Sequence, residues 1–313
     1  MSTAPQREPS TFVISITPFD ASLRLDEGAL RAHYARLAAS GIGVYVGGAG
    51  SGEGYTLSAA ERRRVLEIAA EELKGKVPVR AMGVEPRTPQ EMIEFASLVA
   101  ETGLDAMQVY SLDMGHGFSP NRAEMLSYYE AVLSSGDLPV VISTHQSVGY
   151  FLPADLLIAL AQRFPRVIGV NCTSPDITYL EALATGLPEQ VTLHVGGPMQ
   201  ALTALALGAS GYLSSDANVA PRLAMEVVNA WGAGAYATSA AAFATLIRLF
   251  AVLTHGGGIS ATKCILSGLG LPGGLPRPPR LPISDPSAAQ SLIAAVRALE
   301  VPELQGSFAG ASA

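Results

Sequence analysis

Between Thr11 and Ser215 the chain repeats one unit, a short apolar run rich in β-branched residues followed by an amphipathic stretch of helical period. The runs fall at Phe12 to Ile16, Val44 to Gly47, Val77 to Met82, Ala106 to Tyr110, Val140 to Ser143, Val167 to Val170, Val191 to Val195 and Gly211 to Leu213. Helical stretches between them include Asp26 to Ala39, Ser58 to Lys74, Pro89 to Glu101, Arg122 to Leu133, Pro153 to Arg163 and Met199 to Leu207. A helix between successive strands makes them parallel, and strands this apolar are buried on both faces. Eight such units predict an α/β fold, a (β/α)8 TIM barrel with a C-terminal helical extension. An open doubly wound sheet is the alternative. It would want a phosphate-binding glycine turn after the first strand, where Thr17-Pro18-Phe19-Asp20 stands instead.

Local signals agree with this reading. Ser58 and Glu61 form a capping box, and Thr88-Pro89 pairs an N-cap residue with proline at the first turn. Gly41, Gly75, Gly103, Gly136 and Gly208 each follow a helical stretch. After Asn218 only helical pattern remains, so the barrel is expected over residues 11–218 and the extension over 219–300. Residues 301–313 are expected to form a flexible tail. The Gly/Pro/Arg-rich segment from Gly268 to Asp285 reads as a crossing loop.

Composition narrows the function classes. A net charge of -7, with Arg62-Arg63-Arg64 the only basic run, argues against a nucleic-acid partner. Two cysteines, Cys172 and Cys264, make no disulfide framework, and a reducing cytoplasm is expected. The N-terminus has no apolar leader segment, and no uninterrupted apolar run reaches about 18 residues, so no membrane partner is expected. The apolar surplus then serves a core or a subunit interface, and a homo-oligomer (dimer or tetramer) is expected. His116, His145, His194, Asp113 and Asp216 match no compact metal-ligand spacing, and no metal or other cofactor is expected.

Several motifs in order resemble the family of dihydrodipicolinate synthase and N-acetylneuraminate lyase. They are Ile16-Thr17-Pro18-Phe19, Val46-Gly47-Gly48-Ala49-Gly50-Ser51-Gly52-Glu53-Gly54, Thr102-Gly103-Leu104-Asp105-Ala106, Leu138-Pro139-Val140-Val141-Ile142, Gly169-Val170-Asn171 and Gly208-Ala209-Ser210-Gly211, with Asn218-Val219-Ala220-Pro221 and Thr262-Lys263-Cys264 after them. The resemblance spans about residues 11–300. It implies a class I aldolase or related lyase that holds a 2-keto acid as a Schiff base on a lysine ending the sixth strand. It also implies a tyrosine ending the fifth strand and a hydroxyl pair in the glycine loop that grips the substrate carboxylate.

This chain departs from that pattern at two of the three places. Asn171 stands at the lysine position and Ser143 at the tyrosine position. An amide nitrogen has no usable lone pair and forms no iminium. Only the loop persists, with Gly50 and Ser51 at the carboxylate-gripping pair. No arginine follows the fifth strand, and Pro198 follows the seventh, so neither branch's own substrate is supported.

Alternate strand residues share a face, which points Ser143 with His145, and Asn171 with Thr173, into the barrel mouth. The expected roles are His145 as general base, Ser143 or Thr144 as relay, and Asn171 as donor to a carbonyl or enolate oxygen. Gly50, Ser51, Thr144, Thr173, Gly196 and Ser214 are the expected substrate-binding residues. The three lysines, Lys74, Lys76 and Lys263, read as helix-surface residues, and Glu53 as a tie for the glycine loop. Three functions remain: a lyase-like enzyme acting on a small-molecule substrate, a 2-keto acid or other carboxylate, without a Schiff base; a catalytically inactive ligand-binding or scaffolding protein; and an aldolase using a relocated lysine.

Overall fold

The computed structural model describes residues 7–305. Eight parallel strands close into a barrel in sequence order: β1 (Ser10–Ile14), β2 (Gly43–Val46), β3 (Val79–Ala81), β4 (Ala106–Val109), β5 (Val140–Thr144), β6 (Val167–Cys172), β7 (Thr192–Gly196) and β8 (Gly211–Ser214), with β8 paired to β1. The outer helices are α1 (Glu27–Ala38), α2 (Ala59–Leu73), α3 (Pro89–Thr102), α4 (Arg122–Leu133), α5 (Ala154–Arg163), α6 (Ile177–Gly186), α7 (Ala201–Ala206) and α8 (Pro221–Gly232). The Ser58–Glu61 capping box forms, and Thr88 accepts from the Glu91 amide with Pro89 in the first turn, so these starts are set by local sequence.

The boundary expected at residue 218 moves. Helix α8 packs on β1 as the eighth barrel helix, and Gly234, at a φ of 73°, turns the chain into the extension. That extension consists of α9 (Tyr236–His255), α10 (Ile259–Gly268) and α11 (Pro286–Arg297). Residues 301–305 do not fray. Val301 and Leu304 are buried, and the Glu303 carboxylate accepts from the Arg222 and Leu223 amides at the start of α8. The rest of the expected tail, 306–313, lies outside the described residues.

Lys263 overturns the surface reading made for it. It is fully buried on α10 and forms an ion pair with Glu53, which is buried too. Its ammonium also donates to the Thr17 carbonyl at 2.8 Å and the Leu275 carbonyl at 2.9 Å. Burial lowers its pKa to about 8 while Glu53 opposes that shift, so it is charged at neutral pH with all three donors engaged. Glu53 itself, in left-handed backbone at a φ of 50°, accepts the Arg277 amide at 2.8 Å. The crossing loop is stitched down beside this pair: the Leu275 amide donates to the Phe19 carbonyl, and a Cβ on Gly274 would lie 2.7 Å from the Phe19 nitrogen. Glu53 thus ties the glycine loop, the first barrel loop and the extension together.

Helix α9 is long and apolar enough, by length and composition, to cross a membrane. Leu246, Leu249 and Leu253 are buried against the body, but only 28% of the most apolar window is covered.

Two predictions follow from buried charge. Removing one partner of a sealed pair leaves the other uncompensated, so Lys263→Met should cost about 3–5 kcal/mol in urea unfolding. Pairing it with Glu53→Gln should recover most of that loss. An additive double variant would show the charges to be uncoupled. The second concerns pH. Burial holds the His33 and His194 imidazoles neutral, with pKa values of about 3, and raises the Asp216 carboxyl to about 7. Near pH 5 to 6 the histidines favour folding more as pH rises, because the unfolded chain binds their protons. Asp216 acts oppositely, because there the folded chain holds the extra proton. Asp216→Asn should therefore steepen the rise of stability with pH by about 1.4 kcal/mol per unit. Equal slopes in the two proteins would show that Asp216 ionises normally.

Candidate active site

The C-terminal ends of the strands surround a cavity of about 390 Å³. Strand alternation aims Ser143 and His145 from the β5 end, and Asn171 and Thr173 from the β6 end, at its lining. Ser51, Gln108, Tyr110 and Ser214 add to the polar lining, Gly50 and Gly196 also line it, and Phe250 of α9 reaches in from the extension. Every expected site residue is on this surface except Thr144. Its side chain takes the opposite parity, paired across from Cys172, and its hydroxyl accepts the Leu152 amide at 3.3 Å. Thr144 is therefore removed from the site. Cys172, on the same outward parity, is packing: burial pushes its thiol up to about 11.

Asn171 is held by groups that strand alternation also turns inward. Its amide lies 3.0 Å from the Tyr45 hydroxyl and 2.7 Å from the Gln108 amide. Tyr45 is in turn 3.0 Å from a guanidinium nitrogen of Arg80. That guanidinium stacks over Phe12, 4.2 Å from the ring centroid, and has no carboxylate partner among the described residues. Positive charge is therefore retained in the barrel, but one layer beneath the cavity and on a group that is not nucleophilic.

His145 does not have the free lone pair that a general base requires. Its Nδ1 accepts the Ser147 amide at 2.9 Å, so the neutral ring carries its proton on Nε2. Partial burial lowers its pKa, so at neutral pH it is an N–H donor at the rim. The carboxylate available in its place is Glu85, which lines the cavity and accepts the Ser147 hydroxyl at 2.7 Å.

The glycine loop leaves several of its backbone amides free among the described residues. The amides of Ala49, Glu53 and Gly54 are tied to the carbonyls of Gly83, Gly50 and Gly48. Those of Gly50, Ser51 and Gly52 donate to no protein group among the described residues. A Cβ on Gly54 would fall 2.3 Å from the Gly47 carbonyl oxygen, so glycine is what lets the loop fold back on itself. Beside it the Ser214 hydroxyl donates to the buried Asp216 carboxylate.

No lysine lines the cavity among the described residues. Lys74 is exposed at the far end of the barrel, where it donates to the Gly103 carbonyl at 2.6 Å, and Lys76 is exposed two residues later. Reading the sequence missed Tyr45, Arg80, Gln108 and Glu85. The signal was present: the first three are polar side chains inside otherwise apolar strands, and Glu85 sits between Gly83 and Pro86 in a loop at the chemical face.

The model of the dihydrodipicolinate synthetase family matches residues 9–299. The chain is 31% identical over 288 residues to a 4-hydroxy-tetrahydrodipicolinate synthase of Hyphomonas neptunium, covering 91% of this chain and 95% of that one. To the enzyme of the same name from Methanopyrus kandleri it is 29% identical over 266 residues, 84% of this chain and 87% of that one. Among solved structures, YagE, a prophage protein of that family from E. coli K12 in complex with pyruvate, superposes with a TM-score of 0.84 at 24% identity, covering 94% of this chain and 99% of that one. The dihydrodipicolinate synthase of Aquifex aeolicus does so with a TM-score of 0.85 at 23% identity and the same coverage. With the family match running through barrel and extension alike, the chain belongs to the dihydrodipicolinate synthetase family.

Proposed function

We propose that this protein is a lyase of the aldolase or dehydratase type that acts on a small 2-keto acid, or a related carboxylate, without a lysine Schiff base. The observation that carries this is Asn171, at the cavity position ending β6, joined to Tyr45 and Gln108 in a pocket with no lysine in its lining. Lys263, the only buried lysine among the described residues, spends its three donors on Glu53, Thr17 and Leu275, which disfavours a relocated amine. Pyruvate is the ligand in the YagE complex, which supports the keto-acid class.

In this reading the Ser51 hydroxyl and the free amides of the glycine loop take the carboxylate. Asn171 spends both amide hydrogens on Tyr45 and Gln108, so the Ser143 hydroxyl and the Nε2–H of His145 donate to the keto oxygen, and Glu85 removes a proton. In a retro-aldol step Glu85 takes the proton of the β-hydroxyl, the carbon-carbon bond breaks, and its electron pair moves to the keto oxygen as an enolate held by those donors. Protonation at carbon then releases product. The uncovered face of α9 supports assembly as a homo-oligomer. Its mass in solution should be a multiple of the 32.4 kDa chain, and a monomer by light scattering at micromolar concentration would contradict that.

The chemistry has a direct test. After incubation with pyruvate and borohydride, intact mass should leave wild type unmodified and show an adduct on Asn171→Lys. An adduct on wild type would overturn the reading. A mutant that also fails to trap would move the protein towards ligand binding without turnover. Proton abstraction is read separately, by exchange of the pyruvate methyl protons with D2O. Glu85→Gln should slow that exchange by about 100-fold or more, and His145→Ala by about tenfold or more. Indifference to both substitutions would remove them from the mechanism.

A further inference from the structure

The cavity has two unlike sides. Its bonding side chains come from the ends of β2 through β6, among them Ser51, Glu85, Ser143, His145 and Thr173. Across the closed barrel, the ends of β7, β8 and β1 supply Met199, Leu213 and Ile14, and Phe250 of α9 joins them. Strand alternation explains two of these. Tyr212 turns outward, donating to the Ala224 carbonyl of α8 at 3.0 Å, so Leu213 turns inward, and Ile14 shares the parity of Phe12 inside the barrel. Polar groups occur on this side too, but the fold has used most of them. The Asn218 side chain donates to the Ile14 carbonyl at 2.8 Å, the Gly197 amide to the Leu213 carbonyl at 2.8 Å, and the Ser214 hydroxyl to Asp216. Ser215 keeps a hydroxyl bonded to no protein group among the described residues. At about 390 Å³ the cavity falls within the range of about 300–1,000 Å³ that holds ligands much larger than pyruvate.

We propose that the substrate carries an apolar substituent, alkyl or aryl, beyond its keto-acid head, and that this group lies against Ile14, Leu213, Met199 and Phe250. The inference names the substrate class of the same site and rests on the keto-acid reading above. With the carboxylate at Ser51 and the keto oxygen at Ser143 and His145, the rest of the molecule extends towards the opposite side. In the retro-aldol step the carbon bearing the β-hydroxyl leaves as an aldehyde RCHO, its hydroxyl proton passing to Glu85, and the enolate becomes pyruvate once protonated at carbon. R is the group placed on the apolar side. A hydroxylated R, as in a sugar acid, would give up its water and find only Ser215 in return. An apolar R gains from burial instead. Met199, unbranched and 56% exposed at the mouth, can fit its thioether to groups of different shape.

Isothermal titration calorimetry on the full chain tests this with three acids: pyruvate, α-ketoisocaproate, which adds only hydrocarbon, and 2-ketogluconate, which adds a hydroxylated chain. α-Ketoisocaproate should bind about tenfold or more tighter than pyruvate, with a more negative heat-capacity change. 2-Ketogluconate should bind no tighter than pyruvate. Phe250→Ser should remove most of the gain, bringing the Kd for α-ketoisocaproate to within about threefold of that for pyruvate. Should that variant fail to fold, Met199→Ser, at an exposed position, removes part of the same surface and should also cut the gain. If pyruvate binds and α-ketoisocaproate binds no tighter, if the gain survives both substitutions, or if 2-ketogluconate binds tightest, the inference is overturned and the keto-acid reading stands. If none of the three acids binds, the keto-acid reading itself falls and takes the inference with it.

Discussion

The Glu53–Lys263 pair is the interaction on which the placement of the site depends. It joins the glycine loop, the first barrel loop and the crossing segment of the extension within one buried contact. Two charges taken out of water are tolerable only when their remaining hydrogen-bonding capacity is also met. Here Lys263 finds two carbonyls and Glu53 an amide, so the geometry is determined from both sides. The left-handed backbone at Glu53 is held by the same contacts. The loop that carries the free amides of Gly50, Ser51 and Gly52 is therefore held in a fixed frame.

The barrel was legible because its evidence is local. Short continuous apolar runs, helical stretches between them, and capping residues such as Ser58 and Thr88 act within a few positions of one another. The eighth helix was missed for a related reason. It follows directly on the β8 loop, in the same apolar pattern as α9, and only the backbone of Gly234 separates the two. The ring of Ser143, His145, Asn171 and Thr173 was also legible, since strand parity alone turns them together. Thr144 was misjudged by ignoring that parity.

What was not legible depends on partners distant in sequence. Lys263 looks like a helix-surface residue until residues 17, 53 and 275 converge on it. The role of His145 turns on which ring nitrogen is free, and that is decided by an amide two residues away in a turn whose geometry the sequence does not specify. Glu85 is brought to the cavity by a loop between β3 and α3, where no periodicity operates. Polar residues within apolar strands were the available warning, since inside a barrel wall each must find a partner, as Tyr45, Arg80 and Gln108 do.

Arg80 and Asn171 are best understood as one arrangement. A lysine at position 171 would place an ammonium one phenol hydroxyl away from the Arg80 guanidinium, with Tyr45 unable to accept fully from both. Two buried like charges at that spacing disfavour each other, and no carboxylate is bonded to Arg80 among the described residues to relieve them. A neutral amide removes the repulsion and keeps the contact, its nitrogen bonded to the Tyr45 hydroxyl and the Gln108 oxygen. The cation is then kept out of the cavity lining, on a group that does not bond covalently to substrate.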